Sequence, residues 1–165
     1  MGSYNQERGR ARPAAKGHRI VERSYTSREA SRVSGVPFFT IDYWGRTRFL
    51  VPTIARGAGR GKGRQRLYSY GDVIRLRIAR ELREQKVSLQ TLRTIVDKLA
   101  PFTDDLAASP FVVIGADVET ATTSTELAAI LKRRGRRVFG VVLDLRTLLG
   151  TVRAAALALD AAGRT

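Results

Sequence analysis

Cysteine is absent from the 165 residues, and histidine and tryptophan occur once each. The missing cysteines exclude disulfide bonds, iron–sulfur clusters, zinc sites built from cysteine and histidine, and a cysteine nucleophile. The longest apolar runs, such as Val138 to Leu143, fall far short of the roughly 20 residues of a membrane span. The basic N-terminus has no apolar stretch of the kind found in signal peptides. These absences predict a cytoplasmic protein without a membrane span, and any metal site would have to use oxygen ligands. We predict neither a metal nor a cofactor.

Acidic residues are scarce, with 15 Asp and Glu against 30 Lys and Arg, which gives a net charge of +15. The imbalance lies almost wholly in residues 1–103, which carry 22 basic and 8 acidic residues, whereas residues 104–165 carry 8 and 7. A strongly basic segment predicts a polyanionic partner, and nucleic acid, an anionic membrane surface and ribosomal RNA all fit that description. The nearly neutral charge of residues 104–165 predicts that this part of the chain has a different function.

Composition and pattern divide the chain into three parts. Residues 1–23 mix arginine, glycine, proline and alanine without apolar periodicity, which predicts a flexible basic arm with a solvated His18. Residues 24–103 are predicted to form a winged helix-turn-helix domain, and residues 104–165 a small α+β module. The predicted fold class is therefore mainly α with small β elements.

The start of the second part predicts two short helices joined by a turn. Thr26 or Ser27 can cap a helix over 28–33, and Gly35 suits the left-handed turn that ends it. A second helix begins at Pro37, because proline is favoured at the first helical position. Two short helices joined by a glycine-containing turn make a helix-turn-helix.

The second of these helices has two different faces. Phe38, Ile41 and Trp44 recur at helical spacing and are predicted to face the core. Phe39 lies on the opposite face, where contact with a thymine methyl group or a sugar would give an exposed ring a role. The hydroxyl of Tyr43 can reach a phosphate, although a half-buried structural tyrosine fits nearly as well.

Two predicted strands, 49–54 and 65–68, flank a loop rich in glycine and arginine. From Arg46 to Arg66 the sequence has seven basic residues and no acidic one. This density predicts a hairpin with a cationic tip that meets phosphates, the wing of a winged helix.

Helix-capping patterns place the remaining helices. Ser69 and Asp72 have the spacing of a capping box at the start of an arginine-rich helix, and Ser88 can cap the next helix, over 89–99.

In the last part, Thr123 and Glu126 form a second capping box for a helix to Arg134, and Asp144 can cap a final helix. Strands are predicted at 111–114, 118–120 and 138–143, which gives the order β-β-α-β-α. The third strand is apolar throughout, as expected when both faces are covered.

The final helix has more apolar surface than a module of this size needs for its own core. An uncovered apolar surface predicts a dimer or partner interface. The stripe recurs at helical spacing and consists of Leu145, Leu148, Leu149, Val152, Ala156 and Leu159.

Signatures of catalysis are missing. The glycine-rich stretch 57–62 has the wrong spacing for a phosphate-binding P-loop, and Gly63 stands where that loop needs a serine or threonine. No nucleophile, base or orienting group can be assigned to the acidic residues. The sequence therefore predicts that the protein is not an enzyme.

Several ordered blocks resemble the DNA-binding domain of the MerR family of bacterial transcription regulators. They cover about residues 25–100 and comprise the run 25–36, Thr40-Ile41-x-Tyr43-Trp44, Phe49-Leu50-Val51-Pro52, Arg66-Leu67-Tyr68-Ser69 and Asp72-Val73-Ile74-Arg75-Leu76. The resemblance implies that the helix from Pro37 enters the major groove and that two protomers read a pseudo-palindrome. It implies base contacts by Phe39 and Thr40. The contacts expected to the DNA backbone are Tyr43, Arg46, Arg56, Arg60, Lys62, Arg64 and Arg66.

The sequence departs from the family in two ways that matter here. Asp42 stands where the family usually has an arginine that contacts phosphate, so DNA should repel it unless Arg46 or a wing arginine neutralises the carboxylate. The long dimerisation helix that follows the DNA-binding domain in the family is replaced by Pro101 and the β-containing module.

The sequence as a whole predicts a regulator of transcription that binds double-stranded DNA sequence-specifically. It would act as a homodimer in the bacterial cytoplasm, at the nucleoid, with RNA polymerase or a second protein as further candidate partners. Two alternatives stay open. One is an antitoxin-like DNA-binding autoregulator whose C-terminal module binds a toxin, and the other is an RNA-binding or assembly protein that uses the winged helix as a docking surface.

Overall fold

The computed structural model describes residues 21–54, 65–102, 111–114, 118–134 and 141–163. The predicted arm up to residue 20 and the wing residues 55–64 lie outside these ranges. The described parts are mainly helical with short strands, which confirms the predicted fold class.

The N-terminal half contains the helix-turn-helix and its scaffold. Its elements are β1 (Tyr25–Thr26), α1 (Ser27–Ser34), α2 (Phe38–Arg46), β2 (Leu67–Tyr68), α3 (Tyr70–Glu84) and α4 (Leu89–Leu99), followed by a 3₁₀ turn at Ala100–Phe102. The capping box predicted at Ser69 and Asp72 is confirmed, because the Ser69 hydroxyl accepts the N–H of Asp72. Thr26 is the N-cap of α1, as one of the two predicted candidates, and it forms a capping box with Glu29 as well. Gly35 ends α1 at a φ of 72°, the left-handed conformation predicted for it.

The strand predicted over 49–54 is wrong. This segment is irregular, and β2 pairs antiparallel with β1 instead. The reason lies in its hydrogen-bond donors. The N–H of Phe49 donates to the last turn of α2, Pro52 has no N–H, and the N–H of Thr53 donates to the carboxylate of Asp72. Too few backbone N–H groups of this segment are left to form the hydrogen bonds of a β-strand.

The C-terminal part is an antiparallel sheet of order β4-β3-β5 with two helices. Its elements follow the predicted order and are β3 (Phe111–Ile114), β4 (Val118–Ala121), α5 (Ser124–Arg134), β5 (Val141–Asp144) and α6 (Arg146–Ala162). α5 packs on β4 through Ala121 and Ile130. β5 lies at the edge of the sheet and Val142 is 45% exposed, so the prediction that both faces of this strand are covered is wrong.

α6 begins slightly later than predicted. Its N-cap is Leu145, which makes no side-chain capping bond. Asp144 still contributes, because its carboxylate accepts the N–H of Arg146 at 3.1 Å and pairs with the guanidinium of the same residue. This arrangement holds the pKa of Asp144 down at about 2, chiefly through the hydrogen bonds that Arg146 donates.

α6 packs against the N-terminal half of the same chain. It lies against α1 and α3, and Val152 and Ala156 are fully buried in one continuous core with those helices. The prediction that the α6 stripe is an interface is therefore wrong for Leu145, Val152 and Ala156, which are buried within the chain itself. A stripe that suits a partner helix suits a neighbouring helix of the same chain equally well. The remaining members, Leu148, Leu149 and Leu159, lie partly buried against the same core.

Candidate nucleic-acid interface

One face of α2 holds aromatic side chains in solvent. Phe39 is 83% exposed and Tyr43 is 58% exposed, whereas Ile41 and Trp44 on the opposite face are buried. Trp44 packs on Phe49 with ring centroids 5.0 Å apart, which fixes the helix on the domain. Burying a large apolar side chain away from water is favourable, so two rings that stay in solvent mark a surface suited to a partner.

Phe38 is not the core residue that its spacing predicts. It is 37% exposed at the edge of α2, because it is the first residue of the helix and no preceding turn covers it. Its ring meets that of Phe39 edge to face with centroids 5.8 Å apart, and the guanidinium of Arg28 lies 5.6 Å above it. Both geometries are favourable for aromatic rings, so the three side chains hold one another in place.

Asp42 lies on α2 and is neutralised from two sides. Nη1 of Arg66 donates to Oδ1 at 2.8 Å, and Nε of Arg46 lies 3.1 Å from Oδ2. Two guanidinium groups around one carboxylate leave this cluster with a net positive charge. The repulsion expected between Asp42 and DNA is therefore offset by both neighbours that the sequence suggested.

The two arginines of this cluster differ in what remains accessible. The side chain of Arg66 is 19% exposed and crosses α2 at Gly45, where an added Cβ would lie 2.8 Å from its Nε. The side chain of Arg46 is 65% exposed. Arg66 therefore links the residues before β2 to α2, while Arg46 keeps a guanidinium available for a phosphate.

Asp72 joins the segment before residue 55 to the scaffold helices. Its Oδ2 accepts the N–H and the hydroxyl of Thr53, at 2.8 and 2.7 Å, and the N–H of Ser69 at 3.0 Å. Its Oδ1 accepts Nη1 of Arg75 at 3.0 Å, and both side chains are buried. Nη2 of Arg75 continues to the carbonyl of Val96 in α4 at 3.2 Å. One carboxylate thus fixes the chain at Thr53, the start of α3 and, through Arg75, the position of α4.

The charge of Arg75 survives this burial. Burial lowers the pKa of its guanidinium, and Asp72 opposes that effect by favouring the charged form. Because arginine is not deprotonated in proteins, the side chain stays charged at neutral pH. The sequence predicted Asp72 as a helix cap, but it gave no sign of the bonds to Thr53 and Arg75.

Arg77 and Arg80 of α3 are also engaged within the chain, whereas Arg83 is exposed. Arg77 and Arg80 pair with Glu81 and Glu84 at 2.6 and 2.8 Å, and Nη1 of Arg80 donates to the carbonyl of Gly35 at 2.7 Å. An added Cβ on Gly35 would collide with that Nη1, so the turn of the helix-turn-helix lies close against α3. Much of the cationic surface predicted on α3 is therefore neutralised, and Arg80 positions the turn.

Exposed cations lie on α1, on α2 and directly after α2. Exposed examples in this region are Arg28, Arg32, Arg46 and Arg48. Thr40, predicted to contact bases, lies half-buried on α2. The predicted backbone contacts Arg56, Arg60, Lys62 and Arg64 lie outside the described residues.

Metal ions and membranes are the other partners to consider for this part of the chain. Among residues 21–54, 65–102, 111–114, 118–134 and 141–163, no group of three or more histidine, aspartate or glutamate side chains is placed to hold a metal ion. None of the helices in those ranges combines the length and apolar character needed to cross a membrane.

Comparisons with known proteins agree with the geometry. The family described as MerR HTH family regulatory protein matches residues 25–99, which run from β1 to the end of α4. The chain is also similar to proteins named uncharacterized HTH-type transcriptional regulator from Mycobacterium bovis and Mycobacterium tuberculosis. Identity to each is 34% over 131 residues, which cover 78% of this chain and 57% of the relative, so the chain spans little more than half the length of these relatives. Residues 25–99 thus belong to the MerR family of helix-turn-helix domains.

Proposed function

We propose that the protein is a transcription regulator that binds double-stranded DNA sequence-specifically and places α2 in the major groove. The observation that carries the proposal is the face of α2, where Phe39 and Tyr43 stay in solvent beside an aspartate that two arginines neutralise. An α-helix fits the major groove, and the N-terminal residues of the second helix of a helix-turn-helix meet base edges. Phe39 and Thr40 would then approach bases, and Tyr43 and Arg46 the adjacent phosphates.

Affinity and specificity come from different residues in this proposal. The accessible arginines around α2 and the basic residues of the wing neutralise phosphates and release counterions, which is independent of sequence. The side chains at the start of α2 meet the bases and carry the sequence information.

We further propose that two copies bind a pseudo-palindromic site. Helix-turn-helix proteins commonly read two half-sites about 34 Å apart with two protomers, and one α2 covers one half-site. Because the buried members of the α6 stripe are covered by α1 and α3, contact between the copies would use other surfaces.

Fluorescence anisotropy with the full chain tests this function. The probes are a duplex selected by the protein from a random pool, a random duplex and a structured RNA, each at two salt concentrations. The expected result is a preference for the selected duplex, with two protomers bound per duplex in sedimentation. Structured RNA bound as tightly as the selected duplex, at both salt concentrations, would contradict the proposal.

A matched pair of variants tests the phosphate contact of Arg46. Arg46→Ala should weaken binding to every duplex alike and lower the slope of log K against log salt by about 0.9. Arg133→Ala is the control, because Arg133 is equally exposed, at 68%, lies in helix α5 and is also paired with a carboxylate, that of Glu119. The control should leave the slope unchanged. Equal slopes for both variants and the wild-type protein would show that Arg46 contacts no phosphate.

A further inference from the structure

We infer that α2 recognises the C5 methyl groups of thymine through Phe39, with Phe38 fixing the orientation of that ring. The inference rests on the proposed function and specifies the chemistry of the same surface. The bound sequence would then be specified at these positions by methyl-bearing pyrimidines rather than by the hydrogen-bonding edges of purines.

The first turn of α2 has almost no side chain able to read a base by hydrogen bonds. It begins with Phe38, Phe39 and Thr40, and the next residue, Ile41, is buried. Readout of guanine or adenine usually needs an arginine, lysine, asparagine or glutamine placed for two hydrogen bonds. On α2 Arg46 is the only residue of these types, and it lies in the last turn and pairs with Asp42. The part of the helix expected to meet bases therefore presents rings.

Thymine offers the group that such a ring can recognise. On the major-groove edges of the four base pairs, the other groups are hydrogen-bond donors or acceptors, and the C5 methyl of thymine is the apolar one. Phe39 is 83% exposed, so its ring gains contact area when it meets that methyl. A ring facing only polar edges would gain much less.

A contact with Phe38 favours one orientation of the Phe39 ring before it meets DNA. Phe38 meets it edge to face, and Arg28 in turn lies over Phe38. A side chain that is already oriented loses little rotational freedom on binding, so more of the contact free energy appears as affinity. The same Arg28 is exposed and can lie near a phosphate while the rings enter the groove.

The surroundings of the rings favour DNA over a protein as the partner. Exposed arginines at 28, 32, 46 and 48 lie in the helix-turn-helix or directly after α2, and Asp42 on α2 is neutralised. A protein-binding aromatic patch usually has few charged residues at its centre, whereas a cationic border suits a polyanion.

Replacing thymine by deoxyuridine removes the methyl and leaves every hydrogen-bonding group of the base pair in place. The probe is the duplex enriched by the full chain from a random pool, synthesised with deoxyuridine at one thymine at a time. Loss of one buried methyl should weaken binding about fourfold. We expect this loss at one or two thymines in each half-site and no change at the others.

Variants of Phe39 assign the effect to that ring. Phe39→Ala should bind the thymine and deoxyuridine duplexes equally, while Phe39→Leu, which keeps an apolar contact, should retain part of the difference. Because Phe39 is exposed, neither change threatens the fold. Leu131→Ala, an exposed apolar residue on α5, is the control and should retain the full fourfold difference.

Two results would overturn the inference, and they have different meanings. An enriched duplex bound equally with thymine and with deoxyuridine at every position refutes methyl recognition and leaves the proposed function standing. A pool in which no sequence is enriched over the random duplex refutes sequence-specific binding, and methyl recognition with it.

Discussion

Replacing Val152 by alanine tests whether α6 and the helix-turn-helix unfold as one unit. Val152 is fully buried in the core that α6 shares with the N-terminal helices. The substitution removes the equivalent of two methylene groups, which costs about 1.6 kcal/mol of transfer free energy. The cavity left behind adds about 1 kcal/mol, so the free energy of unfolding should fall by about 2.5 kcal/mol.

The fluorescence of Trp44 reports this loss of stability, because Trp44 belongs to the same core as Val152 but lies on α2. It is the only tryptophan of the chain and lies buried in α2. Its fluorescence during urea unfolding therefore follows the helix-turn-helix rather than α6. We expect Val152→Ala to move the Trp44 midpoint to lower urea with an unchanged slope, as one cooperative unit requires.

Val142→Ala is the matched control, because the same chemical change falls on a side chain in the exposed edge strand β5. It should change the free energy of unfolding by less than about 0.5 kcal/mol. The reasoning is refuted if Val152→Ala leaves the Trp44 transition where it is in wild-type protein while circular dichroism shows a second transition at lower urea. Residues 104–165 would then be the separate module that the sequence predicted.

Two further predictions concern the wing and the end of α3. Alanine at Arg60, Lys62 and Arg64 together should weaken binding to all duplexes alike and lower the salt slope by about one unit for each phosphate that is no longer neutralised, and an unchanged slope would mean that these residues touch no phosphate. Lys86→Gly should raise the free energy of unfolding by about 0.5 to 1 kcal/mol in urea titrations, because Lys86 adopts a left-handed φ of 62°. Lys86→Ala keeps the Cβ and should give no such gain, so an equal gain in both variants would contradict this explanation.

The features predicted correctly from the sequence are those that neighbouring residues determine. A capping box needs only a serine or threonine and an acid three positions later, so Ser69 with Asp72 could be identified without tertiary information, and so could the N-cap position of Thr26. The left-handed turn at Gly35 is local in the same sense. The order of helices followed from these signals together with apolar periodicity.

The features missed depend on residues far apart in the sequence. The pairing of β1 with β2 joins strands of two residues, too short for any alternating pattern to show. The ion pair of Asp42 with Arg66 and the bonds from Thr53 to Asp72 span 24 and 19 positions. The apolar stripe of α6 indicates that the helix is buried against something, but not whether that is the same chain or another one. The exposure of Phe38 was not predicted for a related reason. Periodicity assigns a residue to a face of the helix, but it does not tell how deeply a residue at the helix end is buried.

The two anchors on either side of the wing also have an evolutionary consequence. Thr53 is hydrogen-bonded to Asp72 of α3, and Arg66 is paired with Asp42 of α2. The helices α2 and α3 therefore hold both ends of the segment between residues 53 and 66. Doubling the length of a loop between fixed ends costs only about 0.6 kcal/mol of closure entropy. Insertions or deletions between these anchors can therefore change the number of cations presented to DNA without shifting α2. If α2 selects the sequence as proposed, changes in wing length would adjust how tightly the protein holds DNA while that helix stays in place.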